Sequence, residues 1–220
     1  LVLLDNSFSH LPTVVAEGRR VIANIERVSM LFLTKTVYAT ALALIFGIMI
    51  MQIPVLPRQL SITDGLTIGI PAFFLALLPN AQRYVPGFLR RSLTFAIPAG
   101  LVVALSLTVF ARVCLALGVP EEELRTGTTL IVGIIGIWVL SVLARPLTWV
   151  KALIVAAMVA GLLFVMTFPL TVEFFELVEP RAEALWWVGG ISAVAIVLVE
   201  IIRAVQLRVV QRRALRRATA

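Results

Sequence analysis

Six stretches of the chain are long and apolar enough to cross a lipid bilayer. A membrane-spanning helix needs about 20 consecutive, mostly apolar residues, within a usual range of about 17–25. The stretches that approach or meet this length are residues 29–50, 60–79, 92–111, 127–144, 152–168 and 185–202. Proline, charged residues or both separate each stretch from the next. The pattern therefore predicts an all-α membrane protein with six transmembrane helices.

The composition of the 220-residue chain agrees with this prediction and excludes a water-soluble domain. Hydrophobic residues make up 60% of the sequence and charged residues 14%, whereas soluble domains average about 45–50% and about 25%. A single cysteine, Cys114, excludes a disulfide scaffold, and a single histidine, His10, excludes a histidine-rich metal site. Because the chain begins at Leu1 without an initiator methionine, we expect it to be a piece of a longer polypeptide.

Basic residues alternate between the two sides of the predicted membrane domain. The N-terminal segment, the second and fourth connections and the C-terminal tail hold 14 Lys and Arg residues, and the other three connections hold three. Because basic residues concentrate on the cytoplasmic side of a membrane, both termini are predicted to be cytoplasmic. Membrane topology thus explains the net charge of +7, and no nucleic-acid partner is expected.

The chain is predicted to have three parts. Residues 1–28 are interpreted as the end of a cytoplasmic domain with a helix leading into the membrane, residues 29–205 as the six-helix transmembrane domain, and residues 206–220 as a basic cytoplasmic tail. Leu1 to Leu4 form a short apolar run that is typical of a buried strand, and residues 12–28 are predicted to be helical. No helix breaker separates them from the first span, so this helix would transmit motion into the membrane.

Asp64 is the ionisable residue with the strongest case for a functional role. It lies a few residues into the second predicted span and is followed by Gly65, Gly69 and Pro71. A charged side chain inside a membrane costs about 2.5–3.5 kcal/mol on insertion scales. Gly and Pro weaken a helix, so an unwound turn is expected after Asp64, and its free backbone carbonyls could join the carboxylate as ligands. Carboxylate, carbonyl and hydroxyl oxygens are the ligands of hard cations. The alternative is an interfacial Asp64 that caps a helix beginning at Gly65.

Lys35 lies inside the first predicted span and also needs an explanation. Polar residues surround it, namely Thr34, Thr36, Tyr38 and Thr40. Two interpretations stay open: an internal counter-charge for Asp64 or for an ion site, and a side chain that snorkels to the cytoplasmic interface. Arg112, at the end of the third span, is expected to snorkel. Glu200 and Arg203 have the i, i+3 spacing of a local ion pair.

Three short segments carry a resemblance to a known family. They are VLLDNSF at residues 2–8, VVAEGRRVIANI at residues 14–25, and Thr63-Asp64-Gly65-Leu66. Together they resemble the region of P-type cation ATPases in which the phosphorylation domain meets the fifth membrane helix, followed by the sixth helix. The six spans are similar to the family's fifth to tenth helices in number, orientation and loop order. The nearest look-alikes are the actinobacterial cation-transporting ATPases of the E type, which are similar to calcium pumps.

The resemblance implies the C-terminal membrane half of an ATP-driven cation pump in the cell membrane. The lipid bilayer and the N-terminal half of the same polypeptide would be its partners, and residues 1–28 would include a short α/β remnant of the phosphorylation domain. ATP and Mg²⁺ would bind outside this chain, which holds no catalytic residue of the family. The sequence has no phosphate-binding loop and no HExxH, CxxC or GxSxG motif. The transported cation is expected to be Ca²⁺ or another divalent ion, and an exchange of monovalent ions also stays open.

The resemblance also implies a set of site residues. Thr63 and Asp64 match a ligand pair of the calcium pumps, Thr36 and Tyr38 are further candidates, and Lys35 lies close to the internal lysine of proton-potassium pumps. The calcium-pump pattern is incomplete, so at most one ion is expected. Thr36, Ala39 and Leu60 stand where calcium pumps carry Asn, Glu and Asn, and residues 128–143, the counterpart of the eighth helix, contain no acid.

A different class of function stays open at this point. The six spans could form a self-contained channel, carrier or membrane subunit without an ATPase partner domain. Carriers often show internal repeats, and none is convincing between residues 1–110 and 111–220.

Overall fold

The computed structural model describes residues 11–78 and 87–218, with side chains up to residue 209. The helices are α1 Leu11–Ile48, α2 Pro57–Asp64, α3 Ile70–Leu77, α4 Phe88–Ala116, α5 Glu121–Ala144, α6 Trp149–Thr167, α7 Pro169–Phe174 and α8 Ala182–Ala218. A π-helical turn, Gly65–Gly69, joins α2 to α3. With α2, this turn and α3 counted as one, six helices in the described residues are long and apolar enough to cross a membrane. The six predicted spans are confirmed.

The two terminal helices extend beyond the predicted spans. α1 runs from Leu11 to Ile48 without interruption, so the helix predicted before the first span is continuous with it. No strand occurs in the described part of the chain, and the strand expected at Leu1 to Leu4 lies outside that part, so the α/β remnant is not seen. α8 continues to Ala218, because Ala, Leu, Arg and Gln in its last turns are good helix formers.

Two ion pairs between helices or connections mark the opposite ends of the helix bundle. At one end, called the basic end here, Arg91 forms a bidentate pair with Glu26 at 2.9 Å for each contact. At the opposite end, called the acidic end, Arg181 pairs with Glu123 at 3.1 Å. This hydrogen bonding raises the pKa of Arg181 above its ordinary value, so the arginine stays charged. The bundle is therefore tied together by polar contacts outside its apolar core.

One predicted ion pair at the basic end is wrong. Glu200 does not pair with Arg203 on its own helix but accepts two hydrogen bonds from Arg145, one of them at 2.9 Å. Arg203 instead donates to Gln206, at 2.6 Å. Helix packing explains this pairing, because Arg145 directly follows α5, and α5 packs along α8, which carries Glu200. The two N–H groups of the Arg145 guanidinium match the two oxygens of a carboxylate in a bidentate pair.

The part of α1 that precedes the first predicted span is attached to the end of α3. Arg20 donates to the carbonyl oxygen of Leu77 at 2.7 Å, and Asn24 donates to that of Ala76 at 2.9 Å. The last carbonyls of a helix have no partner within the helix, so these side chains cap α3 from outside. α1 is thereby coupled to the helix that follows Asp64.

Gln59 attaches α2 to the long connection at the acidic end. Its side chain is fully buried, and its Nε2 donates to the carbonyl oxygen of Phe175 at 3.0 Å. Its Oε1 accepts from the backbone N–H of Leu56 at 3.1 Å. The N-terminus of α2 is thus held in register with the connection between α7 and α8.

Replacing Gln59 with Ala is expected to destabilise the protein. The substitution leaves the Phe175 carbonyl and the Leu56 N–H without these partners, and a buried polar group left unpaired costs about 1–3 kcal/mol. The measurement is the thermal unfolding midpoint of the intact protein in detergent. Gln52→Ala is the control, because Gln52 is exposed in the α1–α2 connection. An equal decrease for both variants would contradict the assigned role of Gln59.

Candidate cation site

Asp64 and Lys35 contact each other in the interior of the bundle. Asp64 is the last residue of α2, and its Oδ2 accepts a short hydrogen bond from Lys35 Nζ on α1. The side chain of Asp64 is 23% exposed and that of Lys35 is 37% exposed. Lys35 therefore reaches into the bundle toward Asp64 rather than toward the membrane surface. Asp64 makes no capping hydrogen bond through its side chain, so the capping alternative is wrong.

The second carboxylate oxygen of Asp64 accepts no hydrogen bond of normal geometry within the described part of the chain. Oδ1 is enclosed and accepts no hydrogen bond from the described residues. Tyr38, buried on α1, lies close enough to interact with the same carboxylate. Buried polar atoms without a partner are rare in folded proteins, and a carboxylate oxygen in this state is a ready acceptor for a cation or a proton.

The structure places the two predicted threonines differently. Thr63 is 2% exposed, and its hydroxyl donates to the carbonyl oxygens of Gln59 and Leu60 at 3.1 and 3.0 Å. A hydroxyl oxygen that donates one bond still has lone pairs for a cation. Thr36 is exposed on α1, where its hydroxyl donates to Phe32. Thr63 thus lies beside Asp64, whereas the described residues do not bring Thr36 to it.

Sequence reasoning missed the threonine that faces the interior. Thr34 is 5% exposed and lies one turn before Tyr38 on the same face of α1. It lines a cavity of about 30 Å³ together with Lys35, Tyr38 and Thr67. A cavity of about 10–15 Å³ is enough for one water molecule, so this cavity can hold water. The i, i+4 spacing of Thr34 and Tyr38 is the signal in the sequence that would have identified it.

The helix after Asp64 is loosened rather than unwound. The expectation of an unwound turn is wrong, because Gly65–Gly69 form a π-helical turn in which the Ile70 N–H bonds to the Gly65 carbonyl. α5 packs closely against this turn. A Cβ atom added to Gly136 of α5 would lie only 2.6 Å from Cγ2 of Thr67 in the turn. Single π-helical turns occur frequently at functional sites, and this one directly follows the unpaired carboxylate.

The site contains a single carboxylate within the described residues. No group of three or more His, Cys, Asp or Glu residues that could hold a metal ion occurs there. A cation at Asp64 would therefore complete its coordination with neutral oxygens or with groups from other parts of a longer polypeptide.

Comparison with known proteins identifies relatives that are much longer than this chain. No family model matches the sequence. It is 40% identical, over 95% of the chain, to the calcium-transporting ATPase CtpE of Mycolicibacterium smegmatis, and 39% identical, over 86%, to that of Mycobacterium bovis. The chain is homologous to the membrane segment of CtpE-type P-type ATPases. The resemblance predicted from the sequence is confirmed.

The match covers most of this chain but only part of each relative. The chain spans 28% of the length of each CtpE relative. A probable cation-transporting ATPase, exp7, of Streptococcus pneumoniae is 30% identical over 80% of the chain, which spans 24% of that protein. The relatives thus contain other ATPase parts to which a segment of this kind is joined.

Proposed function

We propose that this chain is the membrane part of an ATP-driven calcium pump and that Asp64 forms part of its cation site. The observation that carries the proposal is the enclosed, unpartnered Oδ1 of Asp64 in a chain homologous to calcium-transporting ATPases. ATP and Mg²⁺ bind to parts of the full-length protein outside this chain. Both termini are cytoplasmic, because the basic residues concentrate at that side.

One Ca²⁺ ion fits the described groups better than two. Ca²⁺ takes six to eight oxygen ligands, and Asp64 offers the single carboxylate oxygen that is free. Tyr38 adds a neutral oxygen near it, and Thr63 is the buried residue next to Asp64 in the sequence. Thr36 faces outward from α1, where helices from the N-terminal half of the polypeptide can pack and bring the remaining ligands.

Lys35 acts as the counter-charge of Asp64 when the site holds no cation. Its ammonium group occupies Oδ2, so a divalent cation that binds Asp64 meets a fixed positive charge beside it. Like charges at this distance repel strongly in a medium of low dielectric constant. Binding of Ca²⁺ therefore requires that the Lys35 ammonium moves away from Oδ2.

Replacing Lys35 with Ala is expected to raise the apparent affinity for Ca²⁺ by about tenfold or more, because a hydrogen bond between charged groups contributes about 1.5–3 kcal/mol. The affinity rises because no ammonium group competes with Ca²⁺ for Asp64 in this variant. The measurement is Ca²⁺-dependent ATPase activity of the full-length protein at several pH values. Arg112→Ala is the control, because Arg112 is exposed on α4. Equal, negligible effects would leave Lys35 without a role in the site.

The function itself is tested by the ion dependence of ATP hydrolysis. The full-length protein in detergent is titrated with calcium, magnesium, manganese and potassium, and Ca²⁺ is expected to stimulate phosphate release. Stimulation by another of these ions with no effect of Ca²⁺ would keep a cation pump and overturn its selectivity. No stimulation by any ion would overturn the proposed pump function.

A further inference from the structure

Lys35 lies beside a small cavity in the interior of the bundle as well as beside Asp64. The cavity has a volume of about 30 Å³, which is enough space for one water molecule or for a group of similar size, such as an ammonium. Residues of α1, α4, α5 and the π-helical turn form its walls. The Lys35 side chain therefore has two polar surroundings, the carboxylate that it contacts and the cavity that it lines.

Two buried threonines in the lining of this cavity offer hydrogen-bond acceptors. Thr34 and Thr67 are each 5% exposed. The Thr34 hydroxyl donates to the carbonyl oxygen of Met30 and the Thr67 hydroxyl to that of Thr63, each at 2.8 Å. A hydroxyl group has one proton, so both oxygens are left with lone pairs for a donor. An ammonium group has three N–H donors and no acceptor, and it therefore matches the polarity of the two threonines.

The other walls of the cavity are mostly apolar. Tyr38 is a further polar residue of the lining, and it also lies close to the Asp64 carboxylate, so the cavity adjoins the ion pair. A charged group inside a membrane is unfavourable in free energy unless it has polar partners. The hydroxyl groups are such partners within walls that include Leu31, Val103 and Val139.

We propose that this cavity receives the Lys35 ammonium when a cation occupies Asp64. The inference rests on the proposed function, in which binding of Ca²⁺ requires that the ammonium moves away from Oδ2. Lys35 already lines the cavity, and its flexible four-carbon side chain turns toward the hydroxyl groups by bond rotation, without a movement of α1. Thr34 and Thr67 are then positioning residues. They lower the free energy of the displaced ammonium and thereby favour binding of the cation.

The test measures the Ca²⁺ dependence of ATP hydrolysis by the full-length protein and by its Thr34→Val variant. Valine has nearly the shape of threonine but offers no lone pair, so displacement of the ammonium from Asp64 becomes less favourable. The apparent affinity for Ca²⁺ is expected to fall about tenfold, the effect of one hydrogen bond to a charged group. Thr67→Val is expected to act in the same direction. Thr34→Ser, which keeps the hydroxyl, is expected to match the wild type.

Thr128→Val is the matched control for the loss of a buried hydroxyl. Thr128 on α5 is fully buried, and its hydroxyl donates to the carbonyl oxygen of Leu124 at 2.8 Å, as that of Thr34 does to Met30. Thr128 does not line the cavity. The control is therefore expected to keep the wild-type affinity for Ca²⁺, and its unfolding midpoint measures the structural cost of such a substitution.

A second background separates the proposed role from direct contact with the cation. In Lys35→Ala no ammonium has to be displaced, so the addition of Thr34→Val is expected to leave the Ca²⁺ affinity of that variant unchanged. Such a cycle isolates the coupling between the two side chains. A tenfold loss that persists in the Lys35→Ala background would make Thr34 a cation ligand or a structural residue and would overturn the proposal.

Failure of this inference is distinguishable from failure of the proposed function. Wild-type activity that Ca²⁺ stimulates, with Thr34→Val and Thr67→Val equal to Thr128→Val, would overturn the role of the cavity and leave the pump function in place. Absence of Ca²⁺ stimulation in the wild type would overturn both. A loss of affinity in both cavity variants that disappears in the Lys35→Ala background supports the proposal.

Discussion

Replacing Asp64 with Asn is expected to abolish cation-stimulated ATP hydrolysis by the full-length protein. Asp64 is the only carboxylate in the described part of the membrane domain that has an enclosed oxygen without a partner. An amide in its place lacks the negative charge that attracts a divalent cation, and the repulsion from Lys35 remains. ATPase activity is measured with increasing Ca²⁺ for the wild type and the variant.

Two further variants separate a loss of binding from a loss of folding. Asp64→Asn leaves Lys35 as an unpaired charge in the membrane, which costs about 2.5–3.5 kcal/mol on insertion scales. Asp64→Asn/Lys35→Met removes both charges, so this protein is expected to fold and to remain inactive. Glu179→Gln, at an exposed carboxylate of the α7–α8 connection, is expected to keep full activity. Ca²⁺ stimulation that persists in Asp64→Asn would remove Asp64 from the site.

Replacing Gly100 with Val is expected to be the most destabilising change at a helix contact. A Cβ atom at this position would lie 2.7 Å from Val37 Cβ and 2.8 Å from the Thr34 carbonyl oxygen. Small residues let membrane helices approach closely, and α1 and α4 are the pair with the most extensive contact. Forcing them apart costs about 1–3 kcal/mol or more and displaces the part of α1 that carries Lys35.

The unfolding midpoint and the Ca²⁺ affinity of Gly100→Val are therefore expected to fall together. Gly189→Val is the control, since a Cβ atom at Gly189 of α8 meets nothing within 4 Å. A midpoint for Gly100→Val that equals that of the control would mean that α1 and α4 adjust without strain, and the close approach would not be a structural requirement.

The long continuous α1 suits the proposed pump. One helix runs from Leu11 through Lys35 to Ile48, and Arg20 and Asn24 attach its first half to the end of α3. A movement of the first half of α1 would therefore reach Lys35 along α1. It would also reach the π-helical turn next to Asp64 through α3. This arrangement would couple ATP-driven motion outside the membrane to the cation site.

Local features of the chain were predictable because they depend on residues close in sequence. Apolar runs of sufficient length predicted the six helices, since any chain segment that crosses a bilayer must satisfy its own backbone hydrogen bonds. The absence of a breaker between residues 12–28 and the first span predicted the continuity of α1. A charged side chain in the membrane is unfavourable in free energy, so the sequence identified Asp64 and Lys35 as residues whose position in a span needs an explanation.

Contacts between distant residues were decided by tertiary structure. Lys35 and Asp64 are 29 positions apart, and their pairing depends on how α1 packs against the π-helical turn and α3. Thr34 and Thr36 are chemically equal, and only helix packing places the first inward and the second outward. Glu200 bonds to Arg145 rather than to Arg203 for the same reason.

The sequence by itself thus determined the number of spans, the continuity of α1 and the residues whose charge requires an explanation. Each of these follows from the free energy of placing a segment in lipid, which sums over neighbouring residues. Tertiary structure alone decided which partner each charge has and why Oδ1 of Asp64 accepts no hydrogen bond from the described residues. Electrostatic energy depends on distance in space, and that distance is set by helix packing.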